Sequence, residues 1–197
     1  MTDGSYHHGN LRTALLERAE AVLTETGPTG LSLRGLARDL GVSHAAPTRH
    51  FRDRQALLDA LAITGFTEFN RRLQAAAEGR GTVEERLEAL GKAYLDFAVE
   101  RHALLTLMFT AKHEEHPDDG LRELGHQALD ITSRLLAEAQ TANVVRPGDP
   151  VRLAQVAFST VHGLAVLAVG GLLDDTALAE ATDLALNILL TGLRPAT

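Results

Sequence analysis

Apolar residues recur along most of the chain at intervals of three and four, the period of helices with one buried face. Over 10–26 the repeat runs through Leu11, Leu15, Leu16, Ala19, Val22 and Leu23. Thr26-Gly27-Pro28 ends it, because glycine suits a left-handed C-terminal cap and proline cannot continue a helix. Ser32 reads as the N-cap of a short helix whose stripe is Leu33, Leu36, Ala37 and Leu40, closed by Gly41. Ser43 reads as a second N-cap, opening a helix over 44–50 that Phe51 closes. Two short helices separated by Gly-Val-Ser have the layout of a helix-turn-helix.

A longer helix opens at Arg54, with Leu57, Leu58, Leu61 and Ala62, and continues through Phe66, Phe69 and Leu73. It fades in Glu78-Gly79-Arg80-Gly81. The expected domain boundary falls inside it, between 1–57 and 58–197. Thr82-Val83-Glu84-Glu85 is a capping box that opens a helix carrying Leu87, Leu90, Tyr94 and Phe97. A short apolar segment follows over 104–109, then a charged loop over 113–119 and an amphipathic helix over 121–139. Pro150 stands where a helix start has no use for its missing N–H. No segment alternates with period two, so an all-α fold of about nine helices is expected.

Residues 154–173 carry no charge and are long enough to span a membrane. Gln155, Ser159, Thr160 and His162 interrupt the segment, no Trp or Tyr flanks it, and Asp174-Asp175 gives no positive-inside signal. A core helix buried on both faces, meeting a partner subunit, fits better than a membrane span. The last helix, over 176–193, sets Leu178, Ala181, Leu184, Ala185, Ile188 and Leu189 on one side.

Composition agrees: 45% of residues are hydrophobic but only 4% aromatic, a balance that favours helices. The absence of cysteine rules out disulfides, thiolate metal sites and thiol catalysis. The net charge of -7 argues against nucleic acid until its distribution is read. Residues 1–60 hold seven arginines and seven acids, so the rest carries the whole excess. Arg49, Arg52, Arg54, His44 and His50 face only Asp53 within 44–54, and DNA binding needs such a local patch rather than a basic protein. The polar first twelve residues contain no apolar signal core, which points to the cytoplasm.

Enzyme motifs are missing: no Gly-rich phosphate loop, no Gly-x-Ser-x-Gly elbow and no alternation of strands with helices. His113-Glu114-Glu115-His116, with His102 and His126 nearby in sequence, invites a zinc site. It lacks the i, i+4 histidine spacing of a zinc-binding helix, so neither metal nor cofactor is expected.

YHHGNLRTALLERAEAVL, GLSLRGLARDLGVSHAAPTRHFRDRQALLDALA, LLTLMF and FSTVHGLAVLAVGG together resemble the TetR (tetracycline-repressor-like) family of bacterial regulators. The last stretch is similar to a C-terminal subtype marked by Trp-x-x-x-His-Gly, with Phe158 in the Trp position. Thr48 stands where the family usually has Tyr, and Arg54 where it has Lys. The resemblance implies a three-helix helix-turn-helix domain followed by a helical-bundle domain that binds ligand and dimerises. It implies a ligand-responsive, sequence-specific transcriptional regulator, a repressor released from a palindromic operator by a small apolar molecule. The partners would be double-stranded operator DNA, a small-molecule effector and a second copy through the last two helices. Gly163, Ala165, Ala168, Gly170 and Gly171 would allow close approach there. The alternative is a helical ligand carrier or enzyme with a vestigial helix-turn-helix, which Thr48 encourages.

On this reading the second helix of the motif enters the major groove. His44 would bond a base edge, and Ala45, Ala46 and Pro47 would meet thymine methyls. Thr48, His50 and Arg54 would touch phosphate, with Ser32 and Arg34 beside the adjacent backbone. Ser32 and Ser43 are caps first, and Arg49 serves either DNA or a bridge to Asp53. Tyr94, Phe97, Leu104, Met108, Phe109, Leu129, Phe158 and His162 are candidate effector contacts, with a filled core as the alternative. His162 would orient a ligand's polar group or serve as a structural histidine.

Overall fold

Start and stop signals in the sequence translate into helix ends in the computed structural model, which describes residues 8–112, 119–173 and 176–195. Eight α-helices form among them: α1 (His8–Thr26), α2 (Leu33–Asp39), α3 (Arg54–Ala77), α4 (Val83–Glu100), α5 (His102–Lys112), α6 (Asp119–Thr141), α7 (Pro150–Val169) and α8 (Leu178–Leu193). The all-α expectation holds. Gly27 and Gly41 adopt φ of 73° and 65°, the left-handed geometry that a side chain disfavours. Ser32 Oγ accepts from Gly35 N at 3.0 Å. Thr82 and Glu85 form the reciprocal capping box, and Asp149 with Pro150 opens α7.

The chain divides into two compact units, Met1–Gly65 with Ala103–Leu121, and Phe66–His102 with Arg122–Thr197. The division lies inside α3, later than residue 57, and most of α5 joins the first unit. The cause is a close approach: a Cβ on Gly65 would sit 2.6 Å from Met108 Sδ and 3.0 Å from Leu104 Cγ. Leu15, Leu23, Leu36, Phe51 and Leu57 complete the core of that unit.

In the second unit Phe69 meets Tyr94 edge-on at 5.2 Å and Phe97 at 5.0 Å. The Arg72 guanidinium lies 5.3 Å over the Phe97 ring and pairs with Glu68 and Glu100 at 2.8 and 2.7 Å. Asn70, buried on the same helix as Glu68 and Arg72, donates to the Leu124 carbonyl and to Gln127 Oε1 at 2.8 and 3.0 Å.

Two expectations change here. Helix α7 is not buried on both faces: only Ala154, Val161 and Ala165 are buried, while Val156 and Val166 are 58% and 55% exposed. Among the described residues it is the one helix long and apolar enough to cross a membrane. Helix α8 turns Thr182, Leu186 and Leu193 inward, while Leu184 and Ile188 stand exposed. A helix apolar on nearly all sides gives periodicity little to choose between, which is why its inner face was not legible.

Candidate DNA-facing segment and effector cavity

The segment after α2 is shaped by Pro47. A proline has no N–H to return to the carbonyl four residues back. The Ser43 carbonyl instead accepts from Ala46 N at 2.9 Å, and the Ala46 carbonyl from Arg49 N at 3.3 Å. Turns leading into a 3-10 helix over Pro47–Arg49 therefore replace the α-helix expected over 44–50. The N-cap of that helix is Ala46, with no side-chain bond, and not Ser43. Pro47 is buried, which removes it from any thymine contact. His44, Ala45, Thr48 and Arg49 are exposed, and Ala46 and His50 are half-buried.

Thr48 Oγ1 donates to the Ala45 carbonyl at 2.9 Å, so its proton is committed to the turn. Arg54 also departs from expectation. Its Nε donates to the Leu31 carbonyl at 3.1 Å, and a terminal nitrogen donates to the Pro28 carbonyl. The guanidinium ties the start of α3 to the loop before α2, a structural role beyond the phosphate contact expected of it. The actual N-cap of α3 is Asp53, whose carboxylate accepts from Ala56 N at 2.8 Å. That bond, with Arg52 alongside at 3.0 Å, holds Asp53 below the usual carboxylate range.

Sequence reading missed a second tie. Arg18 on α1 reaches Asp39 on α2 at 3.0 Å and holds its carboxyl below the ordinary range. The pair is 21 residues apart, beyond the reach of any local rule. Arg18, Ser32, Arg34, Arg38 and His44 share one concave surface. Arg18, Arg38 and Arg52 are each paired with an acid. Arg34 and Arg49, like Arg12 and Arg54, are exposed cations of this unit without one among the described residues.

The second unit holds a small apolar cavity, open to solvent at one side. Leu87 and Leu90 on α4, Leu136 on α6, Val161 on α7 and Leu186 on α8 are among its walls. The walls of α4 and α8 close on each other at Gly91, where a Cβ would lie 2.4 Å from Leu186 Cδ2. Tyr94 and Phe158 line it as expected from the sequence. His162 does not, but its Nδ1 is 2.7 Å from Tyr94 Oη, and its ring stacks on Phe158 at 5.5 Å with 9° between planes. Burial pushes the Tyr94 phenol up and the His162 imidazole down, so both favour their neutral forms.

The other candidates lie elsewhere. Phe97 is fully buried in the aromatic stack, and Leu104 and Met108 pack on Gly65 in the first unit. Phe109 also belongs to the first unit, and half-buried Leu129 is not part of the wall. The leucines of α4 and α8 carry most of the lining, and nothing but tertiary packing marks them out from core leucines. His113 and His116 lie outside the described residues. His102 and His126 join no group of three metal-binding side chains among the described residues.

A turn unit presenting unpaired cations, in one chain with a helical unit that holds an apolar cavity, defines a one-component regulator of transcription. Residues 15–61 match the family described as bacterial regulatory proteins, tetR family, and residues 87–193 match the tetracyclin repressor-like C-terminal domain. The chain belongs to the TetR family, whose members are DNA-binding regulators and not enzymes. A solved protein of unknown function from Rhodococcus sp. RHA1 is 47% identical, with a TM-score of 0.90, over 97% of this chain and 99% of that one. The HTH-type transcriptional regulator YobS of Bacillus subtilis (strain 168) is 22% identical over 81% of this chain and 79% of its own. AibR, solved with isovaleryl coenzyme A and operator DNA, shares the fold with a TM-score of 0.67 and 18% identity, over 94% of this chain and 99% of that one.

Proposed function

We propose that the protein is a cytoplasmic, homodimeric repressor that leaves a palindromic operator when a small, mainly apolar molecule fills the cavity of the second unit. The observation that carries this reading is the apolar cavity in a chain whose other unit presents a helix-turn-helix with unpaired arginines. AibR, held in one complex with an acyl coenzyme A and DNA, is a precedent for one such fold binding both. His44 and Ala45 are exposed to read base edges, while Arg34 and Arg49 supply phosphate contacts. Ser32, Ala46, Thr48 and His50 shape the backbone that approaches DNA, and Arg54 supports it from behind.

Dimerisation is supported by the exposed apolar residues of α7 and α8, Val156, Val166, Leu184 and Ile188 among them. Exposed Gln155, Ser159 and Thr160 on α7 suit a protein partner better than lipid. A dimer places two reading segments about one helical turn, roughly 34 Å, apart. An effector shifts that geometry only if it binds the released state better.

Thr48, with its proton turned inward, favours the second reading, a ligand carrier whose helix-turn-helix no longer grips DNA. Pull-down of genomic fragments by the purified protein, sequenced and retested at two salt concentrations, separates the two. A shared palindrome with steep salt dependence is the expected result. No enrichment, or salt-independent binding, would overturn the repressor in favour of the carrier.

A further inference from the structure

Helix α1 stands outside the helix-turn-helix, yet it brings a charge to the end of the segment that faces DNA. Arg12, in the second turn of α1, is exposed, and its guanidinium carbon lies 5.4 Å from the centre of the Phe51 ring. Phe51 is buried and comes two residues after the 3-10 helix over Pro47–Arg49. Its amide donates to the Pro47 carbonyl at 2.9 Å, so the ring is fixed to the turn that exposes Thr48 and Arg49. A cation–π contact engages the charge of a guanidinium without spending an N–H on an acceptor oxygen. No carboxylate or carbonyl among the described residues takes one of the Arg12 donors. The arginines beside it are used differently. Arg52 is paired with Asp53 at 3.0 Å, and Arg54 donates to the Leu31 and Pro28 carbonyls. Arg12 therefore joins Arg49 as an arginine whose donors remain available at this end of the segment.

We propose that Arg12 is a DNA contact supplied from outside the motif, its guanidinium donating to a phosphate of the duplex backbone. The contact rests on reading the first unit as the DNA-binding one. A phosphate is the group that fits, because a planar fork of N–H donors matches two anionic oxygens at once. Holding a long side chain in place costs rotamer freedom when it binds. Stacking on Phe51 orders the guanidinium before DNA arrives, so less of that freedom remains to be lost. Arg12 is not on the segment that carries His44 and Ala45, so its contact adds affinity and register without sequence preference. An arginine that served only to cover Phe51 would act through its aliphatic stem, and an unbranched apolar side chain would replace it.

The test is fluorescence anisotropy of the full chain with labelled duplex DNA, over about 50 to 200 mM salt. Two duplexes serve as probes, the palindrome recovered from genomic fragments and one of arbitrary sequence. Arg12→Met keeps an unbranched side chain over Phe51 and deletes the charge. It should flatten the salt slope by about one and weaken both duplexes alike, by about fivefold at about 0.15 M salt, the value of one phosphate at a slope of about 0.9. Arg12→Lys retains the charge and should keep the slope. Urea midpoints of both variants should stay close to that of the unmodified protein. An unchanged slope in Arg12→Met, or a slope lost equally in Arg12→Lys, would overturn the contact and leave Arg12 as a cover for Phe51, with the DNA-binding reading intact. A loss confined to the palindrome would also overturn it, because a phosphate ligand does not discriminate sequence. Absent or salt-independent binding of both duplexes by the unmodified protein would overturn the DNA-binding reading itself, and the Arg12 contact with it.

Discussion

The two units use polar side chains in opposite ways. In the first, Ser32, Asp53, Thr48 and Arg54 bond to backbone within their own turn or an adjoining loop, and Arg18 ties two helices through Asp39. Arg34 and Arg49 are left unpaired at the surface. In the second, the Tyr94–His162 pair sits beside an apolar cavity, while apolar residues of α7 and α8 face outward. A surface that reads a charged polymer needs a shaped backbone and spare cations. An apolar face and an apolar cavity, such as the second unit carries, need nearly none.

The largest expected effect is on the second unit's interior. Phe97→Ala removes a fully buried ring and should cost about 3–5 kcal/mol, read as a lower urea midpoint. An unchanged midpoint would mean that the ring is not part of the core.

Arg54→Ala comes next and sharpens the contrast within the first unit. It strips a charged donor from the Leu31 and Pro28 carbonyls, a loss of about 2 kcal/mol. Operator affinity should fall with the salt slope unchanged, because no phosphate contact is lost. Arg34→Ala should instead leave stability alone and flatten the slope by about one. A flattened slope in Arg54→Ala would restore it as a phosphate ligand.

Caps should erase the contrast. Ser32→Ala in the first unit and Thr82→Ala in the second each delete a side-chain acceptor at a helix start. Each should cost about 1 kcal/mol in thermal or urea unfolding. A large inequality would mean that tertiary contacts, not the local bond, carry one of them.

That equality marks where the sequence was informative. Caps, glycine stops and the end of α3 obey rules that act within a few residues, so Ser32, Gly41 and Thr82 were readable directly. The motif over 30–62 identified the DNA-facing unit, yet Pro47 altered the local hydrogen bonding enough to replace an α-helix with turns. Arg54 was legible as a cation but not as a strut, because its partners are 23 and 26 residues away. In the second unit Tyr94 and Phe158 were found because aromatic residues are scarce. The leucines of α4 and α8 were not, since one leucine on an apolar helix looks like another until its neighbours are placed.

The smallest effect concerns pH, and it separates the interior from the surface of the second unit. Burial lowers the His162 pKa, so the unfolded chain takes up this proton before the folded one does. Its contribution to stability is therefore complete above about pH 6.5 and is lost as pH falls from there through the lower folded value. Glu68 acts in a different window. Hydrogen bonds from Arg71 and then Arg72 hold its pKa at about 2, from an ordinary 4.5. Its contribution is complete above pH 4.5 and is lost as pH falls through about 2. His162→Gln should remove the shallow slope in the upper window and leave the lower one intact, and Glu68→Gln should do the reverse. Unfolding midpoints measured across both windows give the check. If His162→Gln left the upper slope in place, the imidazole would not be the group that titrates there.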